Sequence, residues 1–234
     1  IKSELPQIIK KNNHKSVFGF SATPPLSNFF AHEIFKFSRE QALENQIIAP
    51  ILFDKMEVDF DDNKVDPIIN KLADWLRTNF DCNGKLFCET KGIIYLPSIE
   101  HCHMAKQKLL EAHYEESDIY LINSKNKSCK NDIKLFKKAD KGVAFAVNML
   151  RVGFDDKEVK WAFILRKSED QNLLAQIAGR VMRKDPKDAN KIGYIKAFRN
   201  TNTNYFDFWV DRKSLERSDP DFLKNYRSWH LLLE

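Results

Sequence analysis

The 234-residue chain lacks several features that would settle its class at once. No apolar run approaches the roughly 20 residues that cross a bilayer as a helix. The first 15 residues are polar and basic, without the apolar stretch of a secretion signal. Four cysteines (Cys82, Cys88, Cys102 and Cys129) are too few to staple a chain this long, and none belongs to a C-x-x-C pair. A reducing, cytoplasmic compartment is therefore expected. His101, Cys102 and His103, with Cys82 and Cys88, could donate to zinc, but no ligand spacing repeats, so no metal site is expected. Neighbours such as His101 and Cys102 would instead point to different sides of a helix. The chain does not start with Met and is expected to be part of a longer protein. There is no internal repeat and no low-complexity linker.

What is present suffices for a core. Hydrophobic residues make up 43% of the chain and aromatics 12%, with 18 Phe. The balance of 38 Lys+Arg against 33 Asp+Glu leaves a net charge of +5. That mild excess suits a polyanionic partner and equally an ordinary solvated surface. The abundance of Lys and Asn hints at an AT-rich genome, in a bacterial, phage or viral setting.

Three regions separate by pattern. Residues 1–56 hold a short apolar strand, Val17 to Phe20, then Ser21-Ala22-Thr23-Pro24-Pro25 and a second apolar run at 47–53. Residues 57–91 begin acidic and become amphipathic, with Ile68, Ile69, Leu72, Trp75 and Leu76 at helical spacing. From residue 92 the chain alternates strand and helix. Strands are predicted at 92–96, 118–122, 142–147, 160–165 and 193–198, and helices at 99–113, 131–138 and 173–182. Continuous apolar strands mark a sheet buried on both faces, and strand–helix alternation implies parallel pairing. Residues 204–234 carry Tyr205, Phe206, Phe208, Trp209, Tyr226 and Trp229 at helical spacing. They predict a helical tail in which these rings pack rather than stack on bases.

The strongest chemical signal is Gln176-Ile-Ala-Gly179-Arg180-Val-Met-Arg183. Two arginines three apart share a helix face, and paired guanidinium forks suit a phosphate chain. Gly179 would admit a close backbone or nucleotide. A solvated basic face explains most isolated R-x-x-R strings, so order along the chain matters. Ser21-Ala22-Thr23 follows a strand some 150 residues earlier. Val147 to Asp155, with its Gly153-Phe154-Asp155 ending, closes another strand.

Taken together these segments resemble the superfamily-two helicases. Ser21 to Thr23 is similar to their motif III, Gly92 to Ser98 to motif IV, Val147 to Asp155 to motif V, and Gln176 to Arg183 to motif VI. The order is the family's, and the resemblance covers residues 15 to about 200. It is nearest to the group of restriction-enzyme motors, phage helicases and DNA translocases. Leu150-Arg-Val-Gly153-Phe-Asp155, Phe163 to Ser168 and Phe37 to Pro50 carry that likeness. DEAD-box RNA helicases would place His where Gln176 stands, so DNA is favoured over RNA. Asn148, where the family has an acid, and Lys157, where Pro is common, depart from the pattern of motif V.

The resemblance implies a RecA-like P-loop NTPase fold, with a parallel sheet flanked by helices as in the helicase C-terminal domain. It divides the chain into the end of a first lobe (1–56), a linker and helix (57–91), the second lobe (92–203) and a helical extension (204–234). It implies an ATP-dependent DNA helicase or translocase. Arg180, Arg183 and Gln176 would be catalytic, and Gly153 and Asp155 would join them around ATP. Asp155 would meet the ribose or a motif VI arginine. Ser21, Ala22 and Thr23 would couple nucleotide state to the track. Ser98, Ser124, Asn148 and Met149 would face nucleic acid, where strand ends and helix N-termini gather anions, though Ser98 could equally be a plain helix cap. No G-x-x-x-x-G-K-[ST] and no D-E-x-H string occurs. The phosphate loop and most of the Mg2+ ligands are thus expected in an N-terminal RecA-like lobe of the same protein, and the chain alone should be inactive. Two other readings stay open: the motor subunit of a type I or III restriction enzyme, and a non-catalytic nucleic-acid-binding scaffold.

Overall fold

A computed structural model describes residues 39–56, 58–81, 84–147, 154–167, 171–198 and 201. The chain divides into two compact units, residues 1–42 and 43–234. Of the first, only residues 39–42 are described, in helix α1 (Arg39–Glu44).

Among the described residues of the second unit, six strands form one parallel sheet. They are β1 (Ile51–Lys55), β2 (Lys91–Tyr95), β3 (Ile119–Ile122), β4 (Gly142–Ala146), β5 (Trp161–Ile164) and β6 (Gly193–Ala197). Their order across the sheet is β1-β6-β5-β2-β4-β3. Helices α2 (Asp62–Thr78), α3 (Ile99–Glu111), α4 (Cys129–Lys138) and α5 (Gln171–Val181) cover it.

Side chains alternate across each strand, so every strand feeds two cores. Ile93, Tyr95, Ala144, Ala146, Ala162, Ile164, Ile195 and Ala197 pack with α4 and α5. Ile94, Val143, Phe145, Trp161, Phe163 and Tyr194 pack with α2 and α3. The two faces differ in bulk. The first is rich in alanine and lets α5 lie close. The second is an aromatic cluster, with Trp75 and Phe87 centroids 4.8 Å apart and Trp161 and Phe163 4.7 Å apart.

Gly92 makes room for that cluster. A Cβ there would lie 2.0 Å from the Trp161 indole of the neighbouring strand. The indole N–H donates to Thr90 Oγ1 at 3.0 Å, which satisfies its one polar atom in the core.

The domain boundary expected at residue 56 does not hold. β1 pairs with β6 in full register, Ile51 opposite Gly193 through Lys55 opposite Ala197. Nor is 57–91 a linker, because Val65, Ile69, Leu72, Ala73 and Leu76 of α2 are buried against the sheet. The apolar stripe of α2 is covered by this sheet, and β1 completes the edge of β6. Among the described residues no helix is long and apolar enough to cross a membrane. The expected tail at 204–234 lies outside the described residues.

Candidate functional site

α5 is amphipathic in the way its sequence requires. Leu173, Leu174, Ile177, Ala178, Val181 and Met182 are buried in the alanine-lined core. Gln176, Gly179, Arg180 and Arg183 fall on the remaining stripe. The helix ends beside the entry to β1, where Ile48 bridges Arg183 and the Ala49 N–H donates to Met182 O at 2.7 Å.

Both arginines turn to the segment 154–158 that leads into β5. Arg180 donates through Nη1 to the Phe154 carbonyl. Arg183 Nη1 donates to the same carbonyl at 2.8 Å and pairs with Asp155 Oδ1. The two guanidinium groups are unequally placed. Arg180 is 8% exposed, while the Arg183 side chain is 28% exposed beside an Asp155 that is 67% exposed. Burial, and then the charge of Arg183, push the Arg180 guanidinium down from its ordinary value. It stays a cation all the same, since arginine does not lose its proton in proteins.

Three lysines complete the clamp. Lys91 is 1% exposed and donates to Asp156 at 3.1 Å, Glu158 at 3.3 Å and the Lys137 carbonyl at 3.3 Å. Lys191, 2% exposed, donates to the carbonyls of Lys157 at 2.7 Å and Arg183 at 2.9 Å. Lys187 pairs with Glu158 at 2.6 Å. Each residue from 154 to 158 therefore accepts from a side-chain cation. The hydrogen bond from Lys187 is the main force holding the Glu158 carboxyl below the usual carboxylate range. Burial pushes the Lys191 ammonium down to about 8. An open cleft of about 350 Å³ adjoins this segment, lined by Asp155, Asp156, Glu158, Lys137 and Lys187 among others.

The other expected site residues are scattered. Ser98 caps α3: its Oγ accepts from the His101 N–H at 3.2 Å and lies 2.8 Å from His101 Nδ1. Ser124 sits in an exposed turn after β3. Gln176 is half-buried on α5. Gly179 was expected to admit a close backbone, yet a Cβ there meets nothing within 4 Å, so no described neighbour requires glycine. Ser21, Ala22, Thr23, Asn148, Met149 and Gly153 lie outside the described residues. The cysteines are dispersed, with Cys102 buried under α3 and Cys129 buried on the opposite sheet face. Among the described residues no three His, Cys, Asp or Glu side chains could hold a metal ion together.

Sequence reasoning passed over Lys91, Asp156, Lys187 and Lys191. Their only local signal was a lysine immediately before, or shortly before, each of two apolar strands, and an acid doubled after Asp155.

This architecture is shared with known proteins. A fragment assigned to the HsdR subunit of a type I restriction enzyme from Vibrio vulnificus YJ016 superposes with a TM-score of 0.60 at 17% identity, covering 79% of this chain and 38% of that one. The ATP-dependent type ISP restriction-modification enzyme LlaBIII, bound to DNA, gives 0.51 at 18% identity, over 80% of this chain and 15% of that one. The chain thus spans well under half of either protein. No protein-family model matches the chain, and no curated protein sequence matches it. The fold shared is the RecA-like fold, a parallel sheet flanked by helices.

Proposed function

We propose that this chain is the arginine-bearing lobe of an ATP-driven DNA helicase or translocase. One observation carries the reading: Arg180 and Arg183, some distance from Asp155 in sequence, converge on the Phe154-Asp155 segment. Arg183 uses only Nη1 there, so Nη2 and Nε remain uncommitted among the described residues. A half-exposed fork with two spare donors fits a phosphate anion. Arg180 lies deeper and steadies the same segment.

ATP bound with Mg2+, held mainly by an N-terminal RecA-like lobe of the same protein, would supply the transferable phosphoryl group. Arg183, seconded by Arg180, would stabilise the charge that develops on it. Asp155 would keep Arg183 in its rotamer until the anion competes for it. Gln176, on the same stripe of α5, and Gly153 would line the nucleotide. Ser21, Ala22 and Thr23 would couple its state to the polymer. Ser98, Ser124, Asn148 and Met149 would lie along that polymer. The Ser98 hydroxyl is taken up by His101, so that turn would offer backbone N–H groups instead. DNA as the polymer accords with the restriction enzymes that share the fold, one of them solved with DNA bound. The same likeness favours the motor subunit of a restriction enzyme as the second reading.

The test is ATP turnover by the full-length protein, with and without DNA. DNA-stimulated turnover that collapses in Arg183→Ala supports the motor. Unstimulated turnover, identical in Arg183→Ala, would leave a non-catalytic scaffold.

A further inference from the structure

The positive charge of this protein is concentrated in one segment. Residues 124–138, the turn after β3 and helix α4, hold Lys125, Lys127, Lys130, Lys134, Lys137 and Lys138 against a single acid, Asp132. That is net +5, the charge of the entire chain. Removing these six from 38 basic residues and this one from 33 acidic residues leaves 32 of each elsewhere. The mildly basic composition is thus one local feature on an otherwise balanced molecule.

All six lysines are exposed. Asp132 is occupied by Asn126 Nδ2 at 2.7 Å and Ser128 Oγ at 3.0 Å. Lys137 turns toward the Phe154 ring, 5.3 Å from its centroid. The other five make no ion pair among the described residues. Lysines elsewhere do pair, as Lys106 with Glu116, Lys108 with Glu111 and Lys141 with Asp118. Lys130, Lys134 and Lys138 recur every four residues, about 6 Å apart along the axis. They share a face, while Cys129, Ile133 and Phe136 hold the helix to the sheet. Like charges at this spacing cost roughly 0.2–0.5 kcal/mol per pair. A solvated face would intersperse acids to relieve that repulsion, and this one does not.

The geometry points to the exposed face of α4 as a track for the phosphate backbone of nucleic acid, continuing from the turn at Ser124 and led by Lys130, Lys134 and Lys138. The identity of the polyanion rests on the motor reading; the concentration of charge does not. Contacts of this kind release counterions, are indifferent to sequence and weaken steeply with salt.

The test is fluorescence anisotropy with a labelled 20-base-pair DNA duplex between 50 and 200 mM KCl, comparing the chain with its K130Q/K134Q/K138Q variant. Glutamine keeps helix propensity, and an unchanged melting temperature confirms the fold. The variant is expected to bind at least 10-fold more weakly at low salt, with the slope of log affinity against log salt reduced by about 2–3. An unchanged slope overturns the track while leaving the motor reading standing, because that reading is judged on turnover by Arg183→Ala. Lysine-dependent binding to polyglutamate or to phosphatidylserine vesicles without binding to DNA also overturns it, as does no binding to any of the three.

Discussion

The clamp around residues 154–158 and the lysine face of α4 use the same kind of group in opposite ways. In the clamp, each cation has a fixed acceptor and two of the lysines are almost wholly buried. On α4 the four lysines are exposed, and Lys130, Lys134 and Lys138 make no ion pair among the described residues. A buried ammonium must find acceptors because its desolvation is otherwise far too costly. An exposed one keeps its water and acts at a distance through the field it adds. The clamp is therefore a device of geometry, sensitive to any lost atom and tolerant of salt. The α4 face is a device of number, tolerant of single losses and sensitive to salt.

Substitutions can break that contrast at either end. Arg183→Ala in the full-length protein should lower ATP turnover by about 10³-fold or more. It should leave the salt dependence of DNA binding by this chain unchanged in anisotropy. A parallel loss of both would merge the two regions. Lys91→Ala strands Asp156, whose side chain is 4% exposed. The expected cost is about 3–5 kcal/mol in urea unfolding, whereas removing an α4 lysine should stay within about 0.5 kcal/mol.

Lys191 supplies a pH test. Its folded value, about 8, lies below the ordinary lysine value of 10.5. Between these the unfolded chain binds more protons, so stability should rise as pH climbs through the window. The rise should be on the order of 3 kcal/mol and absent in Lys191→Met, as read from urea unfolding at pH 7.5 to 10.5. A wild-type profile flat over that range would mean that the carbonyls of Lys157 and Arg183 fully offset the burial of the ammonium. Gly92→Ala, next to Lys91 in β2 but facing the aromatic core, should cost about 1–3 kcal/mol through collision with Trp161 and leave the salt slope alone.

Much of the sheet was readable in advance because its strands are buried on both sides. The runs at 92–96, 142–147 and 193–198 are apolar without interruption, and the observed strands fall within about a residue of them. The string from Gln176 to Arg183, with its apolar spacing, announced the helix observed at Gln171–Val181. What stayed hidden was partnership. The segment 51–55 looked like the end of another lobe because its companion, β6, lies some 140 residues further on. Periodicity shows that α2 has an apolar face and says nothing of which surface receives it. The burial of Lys91 and Lys191 had no mark in the sequence, since burial of a charge depends on acceptors supplied from remote loops.

By itself the sequence determined the alternation of strands and helices, the amphipathic stripe of α5 and the surplus of lysine on α4, because each follows from local spacing and composition. Only the tertiary structure decided that β1 and α2 join the same sheet, and that Arg180, Arg183, Lys91, Lys187 and Lys191 close on five consecutive residues. The reason is that parallel pairing and the burial of charge are settled between groups distant along the chain. Their free energy appears only when the partners meet.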